Sequence, residues 1–163
     1  MAKRVFYSFH YEPDNWRASQ VRNIGVVEGN EPVKDNDWET VTKGGEKAIE
    51  KWIDEQLDGR SCTIVLAGQK TADRKWIDHE IKRSWQLNKG VVGICIHNLK
   101  DKNGNQSLKG NNPFANFKLN GTPFSNIVKL YDPPYADSKA VYDYIVANLS
   151  YWVDEAVRIR NQH

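Results

Sequence analysis

The sequence contains little cysteine and no pattern of metal ligands. Its 163 residues include two cysteines, Cys62 and Cys95, and each lies in an apolar, strand-like segment where a thiol packs as a small hydrophobe. No disulfide is expected, and a cytoplasmic location fits this cysteine usage. Because no Cys and His residues stand at metal-ligand spacing, no metal site is expected either.

Charge of one sign and long apolar runs are also lacking. The net charge is +2, and the basic residues form no run interleaved with aromatics of the kind that binds nucleic acid. The longest apolar run, 91–96, is far shorter than the roughly 20 residues that a membrane helix needs. The first residues lack the apolar region of a signal peptide. We therefore expect neither nucleic acid nor a membrane as a partner.

Glycine-rich phosphate loops are missing as well. The segment after the first predicted strand, 10–14, reads His-Tyr-Glu-Pro-Asp, which is acidic and contains no glycine. Dinucleotide-binding turns and P-loops need glycines there, so that the backbone can approach phosphate, and both are excluded. Segment 101–105 would place Gln106 and Asn112 where an EF-hand requires glycine and glutamate. That segment therefore predicts a tight Asn-Gly turn.

What the sequence does contain is an alternation of strand and helix patterns. Two nearly uninterrupted apolar runs, 62–67 and 91–97, are typical of strands covered on both faces of a parallel sheet. The alternation predicts an α/β fold, an open parallel sheet with helices on both faces in three layers. We expect one domain over 1–163, with a long loop insertion at 98–126 and a C-terminal helix at 138–160. Strands are predicted at 4–9, 62–67, 91–97 and 127–131, with a short edge strand near 26–27, and helices at 14–24, 45–57, 71–88 and 138–160. Gly90 is expected to end the helix 71–88, and Ser138 to cap the start of the last helix.

Open parallel sheets bind ligands beyond the carboxyl ends of their strands. The segments that follow predicted strands are therefore candidates for a site: 9–12, 68–69 and the residues from Asn98 onward. His10, Tyr11 and Trp38 are aromatic candidates near these ends. Taken singly, each is also explained by packing alone.

One carboxylate in the predicted helix 71–88 interrupts its apolar face. At about 100° per residue, Glu80 falls within the apolar arc, about 40° from Trp76. A carboxylate in that position must be paired, exposed beside the core, or used in chemistry. The structural explanation would be an ion pair with Arg74 or Arg83.

Several separated segments resemble the Toll/interleukin receptor (TIR) superfamily. The order of strand, acidic loop, two helices, strand and Gly-Gln-Lys-Thr turn leads into Trp76-x-x-x-Glu80, a motif of TIR domains. Segments 3–11, 21–23 and 109–114 look more closely like the prokaryotic TIR-like group that includes the TIR-like subunit of Thoeris antiphage defence. The resemblance covers about 3–115.

The resemblance implies a flavodoxin-like, TIR-like fold and an enzyme that cleaves the nicotinamide–ribose bond of NAD. NAD is then the substrate, and no cofactor is implied. Glu80 is the implied catalytic residue, and the product is a cyclic or otherwise modified ADP-ribose signal that activates an effector protein. Assembly into homo-oligomers is also implied. The substrate-binding residues expected beside Glu80 are Ser8, Phe9, His10, Tyr11, Trp38 and Trp76.

The chemistry agrees with a single conspicuous acid. Ordinary glycosidases use two carboxylates, one of which protonates the leaving group. The nicotinamide ring of NAD is already a pyridinium cation, so it can leave without being protonated. One anion beside the oxocarbenium-like ribose therefore suffices. Two other functions stay open: a non-catalytic TIR-like interaction module, and a nucleoside deoxyribosyltransferase-like enzyme in which Glu80 is the nucleophile.

Overall fold

A computed structural model describes residues 3–30 and 44–163. Its centre is a parallel sheet in the order β2-β1-β3-β4-β7, formed by β1 (Lys3–Ser8), β2 (Val27–Glu28), β3 (Cys62–Ala67), β4 (Gly90–Cys95) and β7 (Lys129–Tyr131). The α-helices of the described ranges are α1 (Tyr11–Arg22), α2 (Glu46–Leu57), α3 (Lys75–Gln86) and α4 (Ser138–Asn161). The open parallel sheet predicted from the sequence is confirmed.

Alternating side chains of the strands bury the two faces of the sheet in separate cores. Tyr7 and Ile64 point into a core shared with α1 and α4. Phe6 and Val65, their neighbours in sequence, lie on the opposite face, in clusters that contain residues of α2 and α3. Since successive strand side chains point to opposite faces, this arrangement is the expected three-layer α/β/α sandwich.

The first helix begins earlier than its sequence pattern predicts. We expected a helix from Asp14, after Pro13, but α1 begins at Tyr11. Proline is tolerated in the first turn because the backbone N–H groups there have no partner within the helix. The earlier start brings Tyr11 and the preceding His10 close to the end of β1.

The residue that caps the start of the last helix, α4, also differs from the prediction. Ser138 was expected to cap it, but Asp137 occupies that position, and its carboxylate accepts a hydrogen bond from the Ala140 N–H at 3.0 Å. The Ser138 hydroxyl instead accepts from the Lys100 N–H at 3.0 Å. Asp and Ser cap helices about equally well, so their adjacency made the choice ambiguous.

Gly90 has a packing role where a helix-ending role was predicted. Helix α3 ends at Gln86, Asn88 takes the positive φ of 63°, and Gly90 is the first residue of β4. A Cβ atom on Gly90 would lie 2.8 Å from the backbone of Ala156 and Val157. The glycine therefore allows α4 to lie directly against β4.

Segment 98–126 contains local structure between β4 and β7. Strands β5 (Lys118–Leu119) and β6 (Thr122–Pro123) form an antiparallel pair, followed by a 3-10 turn at Phe124–Asn126. The predicted tight turn is confirmed, since the Asp101 carboxylate accepts from the N–H groups of Asn103 and Asn105, both at 2.9 Å. In the described ranges 3–30 and 44–163, no helix is long and apolar enough to cross a membrane.

Candidate active site

A cavity of about 550 Å³ opens where β1 ends and α3 begins. Its size is within the range of pockets that bind small molecules. This edge of the sheet, beyond the carboxyl end of a parallel strand, is the one predicted to bind a ligand. The lining residues come from the two positions after β1 and the first turn of α1, and from the first half of α3 with the two residues before it: Phe9, His10, Tyr11, Glu12, Asp73, Arg74, Lys75, Trp76, Ile77 and Glu80.

Glu80 reaches this cavity from the second turn of α3 and is almost completely buried. Its side chain is 5% exposed, and its Oε2 accepts a hydrogen bond from the hydroxyl of Ser8, the last residue of β1. The structural explanation for Glu80, an ion pair with Arg74 or Arg83, is wrong. The Arg83 guanidinium instead donates to both carboxylate oxygens of Asp54, at 2.7 and 3.1 Å.

Burial sets the charge state of Glu80. Desolvation raises the pKa of its carboxyl from 4.5 to about 8, and the hydrogen bond from Ser8 opposes that rise. In the protein alone, the carboxyl is therefore mostly protonated at neutral pH. A cation placed beside it would favour the carboxylate and lower its pKa again.

Two buried hydroxyls hold the helix that carries Glu80. The Ser84 hydroxyl lies 2.6 Å from the Glu80 carbonyl oxygen and 2.6 Å from the Thr63 hydroxyl on β3. Both side chains are fully buried. Sequence reasoning missed this pair. The available signals were a threonine inside an apolar strand and a serine four residues after Glu80.

Aromatic side chains form much of the remaining wall. Phe9 and Tyr11 stack with ring centroids 6.2 Å apart, and the half-buried Trp76 contacts His79 edge to face at 5.5 Å. The structure therefore brings Ser8, Phe9, Tyr11 and Trp76 together around Glu80, in the cavity or directly beside it. The remaining aromatic candidate, Trp38, lies outside the described residues.

His10 lines the cavity and stays neutral at physiological pH. Burial lowers the pKa of its imidazole, and the positive charge of Arg74 lowers it further. Its Nδ1 is buried and has no hydrogen-bond partner within the described part of the chain. A neutral imidazole in this position can donate to a ligand or accept from it.

Two cationic residues at the start of α3 were not predicted from the sequence to line the site. Arg74 is the N-cap of the helix and Lys75 its first residue, and both line the cavity. Lys75 is held by Glu46, whereas Arg74 is exposed at the rim. A cation beside the N–H groups of a helix N-terminus is suited to bind phosphate oxygens. The signal in the sequence was a pair of basic residues directly before the Trp-x-x-x-Glu motif.

Other strand ends predicted to lie near the ligand do not line this cavity. Gly68 packs against α1, where a Cβ on it would lie 2.2 Å from the Asp14 carboxylate. Asn98 donates through Nδ2 to the Tyr135 carbonyl at 3.1 Å. Asp14 itself is buried, and desolvation raises its pKa to about 6 despite Arg17, 3.6 Å away. Gly68, Asn98 and Asp14 are not among the residues that line the cavity.

Comparison with known proteins identifies relatives of this chain. Residues 6–101 match the family model of the TIR-like domain of the Thoeris protein ThsB. A Bacillus cereus protein, ThsB1, named as a candidate cyclic ADP-D-ribose synthase, is 39% identical over 119 residues. The match includes 70% of this chain and 62% of that relative, so the chain spans less than two thirds of the relative's length. The family match contains Ser8, the cavity lining and Glu80.

Proposed function

Because the chain belongs to the family of TIR-like domains of the Thoeris protein ThsB, we propose that it cleaves the bond between nicotinamide and ribose in NAD. The observation that carries this proposal is the buried carboxyl of Glu80 on a cavity of about 550 Å³ with aromatic walls. In this proposal Glu80 is the catalytic residue, and NAD is the substrate rather than a cofactor.

The charge on NAD fits the state of Glu80. The nicotinamide ring of NAD is a pyridinium cation, and its approach would lower the pKa of a carboxyl that burial has raised to about 8. The carboxylate so formed would stabilise the positive charge that develops on ribose as nicotinamide leaves. The electron pair of the broken bond goes to the pyridinium nitrogen, so no general acid is needed.

The rest of the cavity matches the other parts of NAD. Phe9, Tyr11 and Trp76 offer ring faces on which nicotinamide or adenine can stack. Arg74, at the N-terminus of α3, offers a cation to the diphosphate. His10 adds a neutral imidazole, and its buried Nδ1 has no hydrogen-bond partner among the described residues.

The product is proposed to be a cyclic ADP-ribose signal. After nicotinamide leaves, a nucleophile within the same molecule competes with water for the ribose carbon, and aromatic walls that exclude water favour cyclisation. The name of the Bacillus cereus relative, a candidate cyclic ADP-D-ribose synthase, supports this choice. The proposal includes an effector protein that binds the product in antiphage defence, self-association of the enzyme, and a cytoplasmic location.

The decisive experiment compares the protein with Glu80→Gln. Both are incubated with NAD over a range of protein concentrations, with and without lysate of infected cells, and the released nicotinamide and ADP-ribose products are measured. We expect Glu80→Gln to lower nicotinamide release by about 100-fold or more, the scale of losing one electrostatic stabiliser. The thermal midpoint of the variant must not fall, because glutamine has nearly the same shape and, like the mostly protonated carboxyl that it replaces, carries no charge.

Other outcomes would assign another function. Equal nicotinamide release from both proteins, or none from either under every condition, would overturn the proposal. Turnover of nucleosides but not NAD, with a sugar trapped covalently on Glu80, would indicate a deoxyribosyltransferase-like enzyme. Self-association and a defence phenotype that both survive Glu80→Gln would indicate an interaction module.

A further inference from the structure

A second group of reactive side chains lies where β4 and β7 end. These strands are parallel neighbours, and Ile94 is paired with Tyr131. One step further along both strands places Cys95 opposite Asp132. His97 lies two residues after Cys95, in the turn beyond the end of β4, and its imidazole is close to both side chains. The register of the sheet therefore brings three potential metal ligands together, although the sequence shows no metal-ligand spacing.

The distances between these side chains suit a metal ion. One ligand atom from each of Cys95, His97 and Asp132 lies within 4.8 Å of the other two. Tetrahedral zinc, with bonds of 2.0–2.3 Å, holds its ligand atoms roughly 3.5 Å apart. The three side chains thus need to close by about 1 Å, which small side-chain rotations supply.

A buried nitrogen of His97 in this cluster has no hydrogen-bond partner from the described part of the protein. His97 is 7% exposed, and its Nδ1 is buried without a hydrogen-bond partner among residues 3–30 and 44–163. A buried polar atom without a partner is costly, and native structures rarely leave one without a reason. None of the three side chains lines the Glu80 cavity.

We propose that Cys95, His97 and Asp132 bind one Zn²⁺ ion. Thiolate, imidazole and carboxylate together are a zinc donor set, whereas Mg²⁺ and Ca²⁺ prefer oxygen ligands alone. Three protein ligands leave a fourth position for water or another donor. Cys95 and His97 supply the buried side of the site, and the exposed Asp132 closes it from the solvent side.

Lys109 competes with the ion for Asp132. Its Nζ lies 3.0 Å from Asp132 Oδ2, so a positive charge already stands beside this carboxylate. Zinc must displace that ammonium group, and the Cys95 thiol must release its proton to coordinate. The affinity of the site is therefore expected to increase when the lysine is removed.

The test uses Co²⁺, which absorbs light when bound to thiolate, followed by Zn²⁺ as competitor. The reduced protein should bind one Co²⁺ with a thiolate charge-transfer band that Zn²⁺ abolishes. Cys95→Ser should lose the band, whereas Cys62→Ser should keep it. Cys62 is the matched control because it is equally buried in the same sheet, and the metal-ligand cluster does not include it.

Two exposed variants keep the test independent of core packing. Asp132→Asn should weaken Co²⁺ binding by about 10-fold or more, and Lys109→Met should tighten it by about 10-fold. No thiolate band in the protein, a band that survives Cys95→Ser, or equal affinity in both exposed variants would overturn the site. None of these readouts depends on NAD cleavage, so the proposed function and the zinc site fail separately.

Discussion

At Glu80, burial and a hydrogen bond act in opposite directions on one carboxyl group. Desolvation raises its pKa to about 8, and the Ser8 hydroxyl, which donates to it, limits the rise. An ordinary surface glutamate would be ionised throughout the physiological range. Glu80 is therefore a group whose charge depends on pH and on what occupies the cavity.

This charge state predicts the pH dependence of NAD cleavage. In the proposed reaction the carboxylate is the form that stabilises the ribose cation, so kcat/KM should rise with pH and level off above about 8, the pKa of the free enzyme. Initial rates at low NAD concentration between pH 5.5 and 9.5 measure the profile. A flat profile, or one that falls between pH 6 and 8, would contradict this role of Glu80.

The Ser8 hydroxyl should shift that profile. In Ser8→Ala the carboxyl loses the hydrogen bond that favours its charged form, so the rise in kcat/KM should move to higher pH. Ser84→Ala is the matched control, since that hydroxyl contacts the main-chain oxygen of Glu80 and not the carboxyl. In Ser84→Ala, the pH at the midpoint of the rise in kcat/KM should be the same as in the unmodified protein. Equal midpoints in all three proteins would show that Ser8 does not tune the carboxyl.

Among the secondary-structure elements, those with the clearest burial pattern were predicted best. The apolar run 62–67 is β3 to the residue, because both faces of a central strand are covered and no polar residue obscures its ends. The start of α1 was misplaced by three residues, since a proline in a first turn looks like a boundary. The cap of α4 was misplaced because two adjacent residues can both cap.

The close packing of α4 on β4 predicts that adding one methyl group at Gly90 lowers the stability of the fold. Gly90→Ala would place a Cβ 2.8 Å from the backbone of Ala156 and Val157, which cannot move aside as a side chain can. We expect a loss of about 1–3 kcal/mol in the free energy of unfolding, measured by urea denaturation. Gly25→Ala is the control, because no atom lies within 4 Å of a Cβ there. Equal stability of the two variants would contradict the packing role of Gly90.

For the molecule as a whole, the sequence predicted features that lie within one segment better than contacts between distant segments. The amphipathic pattern identified Glu80 as out of place, and the family motif predicted a catalytic role for it, which stays a prediction. Its contact with Ser8 joins residues 72 positions apart, and it depends on where α3 lies over the end of β1. The cluster of Cys95, His97 and Asp132 arises from strand register, which sequence patterns do not specify. The role of Trp38 stays a prediction.

The stability of the whole chain should also depend on Glu80. Between pH 4.5 and about 8 the unfolded carboxyl ionises while the folded one keeps its proton, so the carboxyl lowers stability increasingly as pH rises through this window. Glu80→Gln removes this effect. The variant should be more stable than the parent by on the order of 3 kcal/mol at pH 8, and nearly equal at pH 5.

Thermal midpoints at the two pH values provide the measurement. A difference of 3 kcal/mol corresponds to roughly 6–12 °C for a chain of this length. Because Asp14 titrates identically in both proteins, its own raised pKa cancels in the comparison. A gap between variant and parent that stays constant from pH 5 to 8 would show that the folded carboxyl is already ionised.

The outer strands of the described sheet have a bearing on how copies of this chain can meet. Strand β2 has two residues and β7 has three, so each leaves only a short row of unpaired backbone groups. Short edge strands discourage another sheet from adding to them, which protects a concentrated protein against edge-to-edge aggregation. Copies that associate are therefore expected to do so through helices and loops rather than by extending the sheet.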